Sequence, residues 1–248
     1  MHRRARHLNP KAAGATLVLD ARYITGLVDG NAVTTWNDLS GNGYNPTQAT
    51  AGAKPTYKRP IQGGQPVVRF DGGDTLYYSA NLSTVNALSI QVACSFNDNT
   101  SRLTAFDAKN SALSGTSFNS FVFEQMTTPA YGFYTSQNAL PSNISPSAGW
   151  KIASIAADTT ATGVITTATR FAINGVVGTL TTIGSNQYRD LTGRSGFMVG
   201  SFNNGGAPAF GYMNGDIASI SAFPSKLSAS LARRLDHAIA YSFKIACS

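Results

Sequence analysis

Ala87-Leu88-Ser89-Ile90-Gln91-Val92-Ala93-Cys94-Ser95-Phe96-Asn97 is the stretch that decides the fold class. Leu88, Ile90, Val92, Cys94 and Phe96 make every second residue apolar, while Ser89, Gln91, Ala93 and Ser95 take the opposite face. A period of two belongs to a strand, because successive side chains leave a pleated backbone on opposite sides. The stretch predicts a strand with one face in a core. Cys94 lies on that face, so it is expected to be buried and reduced, a small hydrophobe and not a reactive thiol.

The same signature recurs on either side. Residues 16–20 (Thr-Leu-Val-Leu-Asp) and 66–71 (Pro-Val-Val-Arg-Phe-Asp) are short apolar runs, the second stopped by Gly72-Gly73. Phe121 and Phe123 alternate with Val122 and Glu124. Trp150, Ile152, Ser154 and Ala156 share one strand face, and Ile155 lies on the other. Residues 169–173 run into Asn174-Gly175 and out through Val176-Val177. Asn-Gly between β-branched runs predicts a two-residue hairpin, since a type I′ turn needs positive φ at both central positions. Further strands are expected at 197–201 and 210–223, and residues 135–149, rich in Ser, Asn and Pro, read as a long loop. One helix is expected, of about 10–13 residues near 228–241. Leu231, Leu235, Ala238, Ile239 and Ser242 keep its rhythm and Ser228 is a candidate N-cap. Many short strands with Gly, Asn and Pro between them, and no helical crossovers, exclude a parallel α/β fold.

Composition agrees. Only 12% of the 248 residues are charged against 42% hydrophobic, which fits neither a disordered chain nor, lacking a long apolar run, a helical membrane protein. The net charge of +7 is lopsided. Arg3, Arg4, Arg6 and Lys11 precede the first acid, Asp20, and without them 15 basic side chains face 12 acidic ones. The chain therefore reads as a basic N-terminal arm, 1–15, followed by one domain, 16–248. Residues 1–14 hold almost no apolar side chain beyond Leu8, so they are expected to dock on another subunit through charge-assisted contacts. A solvated terminus is the plainer reading. Leu8-Asn9-Pro10-Lys11 interrupts any apolar segment behind the basic start, so no secretion signal is read. Two cysteines, Cys94 and Cys247, make no disulfide framework.

Chemistry-bearing motifs are few. Glycoside hydrolysis generally needs two carboxylates flanking the bond; the chain's one glutamate, Glu124, has no acid within four residues and reads as a solvent-facing strand residue. Asp38, Ser40 and Asn42 before Gly43 imitate the first half of a calcium loop, but Ala49 stands where the bidentate acid belongs. Asp38 and Asn42 are thus weak metal candidates, with calcium the one candidate cofactor, and a polar turn binding backbone N–H groups is the alternative. His2, His7 and His237 are scattered, which leaves no zinc set. No nucleophile elbow or phosphate-binding glycine pattern occurs. Trp36 and Trp150 sit in apolar patterns and read as core rings. Tyr131 and Tyr134, beside the 135–149 loop, are the candidate glycan-binding residues.

The order of several motifs adds a resemblance. Trp36-Asn37-Asp38-Leu39-Ser40-Gly41-Asn42-Gly43 is followed by Pro55-Thr56-Tyr57, the 66–72 run, the alternating strand, and Ile173-Asn174-Gly175-Val176. Gly211-Tyr212-Met213-Asn214-Gly215-Asp216-Ile217-Ala218 and Leu227-Ser228 close the series. Over about residues 15–246 this resembles the concanavalin A-like lectin/glucanase superfamily in its laminin-G-like branch. The resemblance implies an all-β fold, a two-sheet antiparallel jelly-roll sandwich with one short C-terminal helix. The fold hosts many functions. Domains resembling this one are frequent among tailed-bacteriophage virion proteins. The expectation is therefore a non-enzymatic virion structural protein, in capsid decoration or in the tail or neck. Its partners would be other virion proteins in a homo- or hetero-oligomeric assembly, with neither membrane nor nucleic acid. The alternative is a carbohydrate-binding module attaching a virion or cell to surface glycans.

Overall fold

The computed structural model describes residues 8–79, 87–98, 103–109, 121–125, 130–135, 138–158, 169–181, 196–203 and 208–248. In chain order the strands are β1 (Leu17–Asp20), β2 (Thr56–Gln62), β3 (Gln65–Asp71), β4 (Leu76–Tyr78), β5 (Ala87–Phe96), β6 (Leu103–Lys109), β7 (Phe121–Gln125) and β8 (Tyr131–Thr135). They continue with β9 (Asn138–Pro141), β10 (Lys151–Asp158), β11 (Thr169–Ile173), β12 (Val176–Gly178), β13 (Gly196–Val199), β14 (Phe202–Asn203), β15 (Pro208–Phe210) and β16 (Asn214–Phe223). The helix α1 spans Ala229–Phe243.

An eight-stranded sheet runs β12-β11-β10-β5-β16-β3-β2, with β1 also pairing β16. A six-stranded sheet runs β4-β13-β6-β7-β8-β9, and β14 and β15 form a small ribbon. Every strand pairing described is antiparallel. The main core lies between the two large sheets. Leu19, Phe70, Ile90, Val92, Cys94 and Ile217 of the first meet Phe106, Tyr131, Phe197 and Val199 of the second. Fully buried side chains of this kind each contribute about 1.5–3 kcal/mol. The molecule is thus an all-β sandwich of two antiparallel sheets with one C-terminal helix.

The alternation of residues 87–97 lands as read, with one difference. Its polar face is not solvated: Ser89 and Gln91 are as buried as Ile90 and Val92. The reason is α1, which packs across the outer face of the eight-stranded sheet. Ala232, Leu235, Asp236, Ile239, Ala240 and Phe243 form its buried stripe, at the spacing that puts side chains on one helical face. Ile239, Ala240 and Phe243 meet Val67, Ala93, Ile152 and Ala218. Ala232 and Leu235 meet Val18 and Phe223. Ser89 and Gln91 are tolerated there because they bond to the helix and the loop before it. Ser89 Oγ donates to Ser225 O at 2.9 Å and accepts from Leu227 N at 2.8 Å. Gln91 Nε2 donates to Ala232 O at 3.0 Å and to the Asp236 carboxylate.

The helix starts where expected, with Ser228 Oγ accepting from Leu231 N at 3.3 Å, and runs to Phe243, a little beyond the expected end. The Asn174-Gly175 turn has φ of 50° and 83° and joins β11 to β12 as predicted. The long loop expected at 135–149 is corrected in part. Asn138–Pro141 is a strand paired with β8, because ladder bonds are made by the backbone and form in a run, Asn-Ala-Leu-Pro, too short and too poor in β-branched residues to carry a strand signal.

A groove between the helix and the N-terminal segment

The residues singled out from sequence are dispersed by the fold. Tyr131 is 1% exposed, its ring 6.2 Å from that of Phe96 and its hydroxyl donating to Ser147 O at 3.3 Å. Burial pushes its phenol up to about 12. It is a core residue, which corrects its candidacy for glycan contact. In sequence, a buried Tyr with a bonded hydroxyl looks like an exposed one. The side chain of Tyr134 lies outside the described residues. Trp36 is fully buried as expected, and Trp150 packs on the cluster under the helix.

Asp38 spends its carboxylate on its own loop. Oδ1 accepts from Val18 N and Ser40 N, both at 2.9 Å, and Oδ2 from Ser40 Oγ at 2.6 Å and Tyr44 N at 3.2 Å. Asn42 Nδ2 donates to Thr16 O at 2.8 Å. These contacts are those of the polar-turn alternative. Among the described residues no group of three or more His, Cys, Asp or Glu is placed to hold a metal.

Glu124 pairs in register with Thr104 and Gly132; its side chain lies outside the described residues. The acid missing from its sequence neighbourhood comes from the next strand, where Asp107 pairs with Val122. Asp107 is fully buried, so it presents no carboxylate to a ligand. Asp236 and His237 diverge on the helix, the first buried and the second exposed.

Arg3, Arg4 and Arg6 lie outside the described residues. Residues 8–14 lie on their own sandwich, with Leu8 and Ala13 packed against the cluster of Val18, Phe223, Leu227 and Leu235. For this part of the arm the expected docking on another subunit is corrected. Leu8 and Ala13 find apolar surface at the end of the helix–sheet layer that the sequence did not reveal. Lys11, in a 3-10 turn over Lys11–Ala13, is exposed.

What the fold does assemble is a groove of about 1060 Å³. Its floor is the outer face of β1 and β16, where Val18 pairs with Ser221 and Asp20 with Ser219. One wall is α1, through Ala238, Tyr241 and Ser242. The other is the segment from Leu8 to Lys11 with Leu39. One end is bounded by a 3-10 turn over Ala21–Tyr23 that Asp20 caps, its Oδ1 accepting from Arg22 N at 3.0 Å. The Arg22 guanidinium folds back on the same carboxylate, with Nε 3.0 Å from Oδ1 and Nη2 2.5 Å from Oδ2. It lies 4.8 Å from the Phe243 ring centroid and 5.6 Å from that of Tyr23. Burial disfavours its charge, but the bonds and charge of Asp20 outweigh burial and its pKa is raised. The pair therefore forms a neutral, rigid corner.

Two rings flank this groove. Tyr23 is 59% exposed and Tyr241 73% exposed, so both offer faces to a ligand. On the floor, Ser219 is 6% exposed and its hydroxyl has no hydrogen-bond partner. Lys11 and Lys244 also line the groove, and neither forms a salt bridge with a described residue. Tyr241 and Tyr23, more than 200 residues apart in the chain, line the same groove, and neither carried a sequence signal for it.

No family model matches the chain, and no curated protein matches it in sequence. Among solved structures it is similar to Trypanosoma rangeli sialidase in complex with 2,3-difluorosialic acid. The TM-score is 0.61 at 11% identity, over 93% of this chain and 33% of that one. A mutant of that sialidase displaying trans-sialidase activity gives 0.60 at 10% identity, over 94% and 34%. This chain spans about a third of those sialidases, and the likeness is one of fold. It is weaker for Ruminococcus gnavus IT-sialidase CBM40, at a TM-score of 0.48 and 12% identity over 67% of this chain and 94% of that one. The class that fold and site define is a β-sandwich carrying a surface groove between its C-terminal helix and its N-terminal segment.

Proposed function

We propose that the protein is a non-catalytic, lectin-like glycan-binding module, on a sandwich we read as a jelly roll of the concanavalin A-like kind. The observation that carries this is the groove lined by the exposed rings of Tyr23 and Tyr241 together with the accessible polar side chains of Asn9, Gln65 and Ser242. Sugars present C–H faces that lie on aromatic rings and hydroxyls that pair with side-chain oxygens and amides. Rings with few rotatable bonds offer that contact at low entropic cost. A groove with several polar groups converging on an otherwise apolar lining is the default ligand site of a fold. The one acid on its floor, Asp20, is held by Arg22, so no free carboxylate pair is offered for glycosidic cleavage. The virion role implied by the resemblance gains no support from the groove or from the structural likenesses.

The test is binding to a panel of neutral and anionic saccharides, from single sugars to hexasaccharides, linear and branched. Anionic members are included because Lys11 and Lys244 have no acidic partner among the described residues. Binding of at least one class that Tyr241→Ala weakens about 10-fold, the ~1–3 kcal/mol scale of an aromatic stacking contact, with an unchanged unfolding transition, is expected. Release of reducing ends, or binding untouched by both Tyr23→Ala and Tyr241→Ala, defeats the proposal.

A further inference from the structure

We infer that the ligand is an extended, unbranched oligosaccharide chain that passes across Arg22, and not a single terminal sugar captured at one end. This rests on the glycan-binding reading and says what shape of glycan the surface takes. The first observation is size. At about 1060 Å³ the groove is at the top of the range that encloses a drug-sized ligand, so one sugar ring leaves most of it empty. The second is adjacency through a shared residue. Arg22 lines this groove and also a second depression of about 540 Å³, walled by Val28, Asp29, Arg59 and Pro60.

Arg22 is fixed where the two meet. Its charge is satisfied by Asp20, its Cζ lies near the rings of Tyr23 and Phe243, and 29% of the side chain stays exposed. A guanidinium pinned in this way presents its exposed part at low entropic cost. The second depression is polar and exposed. Asp29 accepts from Arg59 N at 2.8 Å through Oδ1 and faces Lys58 Nζ at 3.8 Å through Oδ2. That leaves the Arg59 side chain open to a ligand hydroxyl or carboxylate.

The end of α1 beside Arg22 is also prepared. Two of the carbonyls there are taken within the chain. Ala240 O accepts from the backbone N–H groups of Lys244 and Ile245, and Phe243 O from Gln62 Nε2 at 3.0 Å. They do not compete for a ligand's donors. A chain lying on this surface meets ring, hydroxyl and guanidinium in succession. Affinity then grows with each sugar added until both depressions are filled.

The experiment titrates the full chain by calorimetry with two linear series from one to six units, cello-oligosaccharides and α-1,4-linked oligogalacturonates. In at least one series affinity is expected to rise about 10-fold or more from two units to six. Arg59→Ala should remove most of that gain while leaving the two-unit ligand within about 2-fold, the scale of one exposed contact. Tyr241→Ala should weaken short and long members alike. Equal affinity for one unit and six, or a length gain unaffected by Arg59→Ala, overturns the inference and leaves the glycan-binding reading standing. Binding of neither series, with binding of branched or terminal sugars in the panel, also overturns it alone. Binding of no saccharide overturns both.

Discussion

Gln91, in the middle strand of the eight-stranded sheet, donates its side-chain amide to Asp236 of the helix, and both residues are fully buried. Their pairing joins the helix to the sheet through polar groups set within an apolar layer. Arg170 Nη1, 3.2 Å from Ser154 Oγ, sits at the edge of the same cluster. Burial pushes the Asp236 carboxyl up to about 6, against the lowering effect of Gln91, Arg170 and Ser154. Asp236 Oδ2 has no hydrogen-bond partner.

The sign of the pH effect follows. The folded carboxyl holds its proton more tightly than the unfolded one, whose pKa is about 3.9. Stability from this group is complete below about pH 4 and is lost as pH rises through about 6. Asp236→Asn keeps an acceptor for Gln91 and cannot ionise. Relative to wild type it should gain about 1–3 kcal/mol at pH 8 and nothing of the kind at pH 4. Urea unfolding of both proteins at pH 4, 5, 6 and 8 checks this. A stability difference that does not change with pH sinks it.

The two cysteines should behave oppositely towards thiol reagents. Cys94 is fully buried and its thiol is pushed far up by burial, with Lys151 only partly offsetting this. Cys247 is partly exposed, with its thiol pushed up to about 11 by burial and by Asp236. In the native state one thiol should label, slowly, and it should be Cys247; Cys94 should label only on unfolding. Cys94→Ser should cost about 1–3 kcal/mol, since a hydroxyl replaces a thiol in an apolar site. Native labelling of Cys94, located by mass spectrometry, would refute the burial.

Leu8 carries the described part of the arm onto the body, packed beside Val18, Phe223 and Leu235. Leu8→Ala should therefore destabilise the isolated protein by about 1 kcal/mol, less than the 2–5 kcal/mol of a fully buried leucine because Leu8 is only half-buried. Replacing exposed Lys11 by Gln should leave the unfolding midpoint unchanged. A midpoint insensitive to Leu8→Ala would mean that the segment does not pack as described.

The sequence by itself determined what depends on local periodicity and turn chemistry. The alternation through Ile90, Val92, Cys94 and Phe96 fixed a strand and its core face. Asn174-Gly175 fixed a hairpin, since few other residue pairs accept positive φ twice. Ser228 and the spacing of Leu235 and Ile239 fixed the helix. Strands such as Asn138–Pro141 were not legible, because ladder bonds use the backbone and accept side chains without strand character.

Only the tertiary structure decided the fate of the second faces. Ser89 and Gln91 look solvent-facing until a loop and helix more than 130 residues later cover them: Gln91 donates to Ala232 O of the helix, and Ser89 Oγ donates to Ser225 O and accepts from Leu227 N of the loop. Tyr131 carried the look of an exposed ring and is core, while Tyr23 and Tyr241 carried no signal and flank the groove. A groove is a relation between segments distant in the chain: β1 beside β16, the 3-10 turn at Arg22 against Phe243, and Leu8–Lys11 opposite α1. Side-chain periodicity states which way a residue points within its own element. Which surface it then meets is set by how the elements pack, and that is where the candidate site arises.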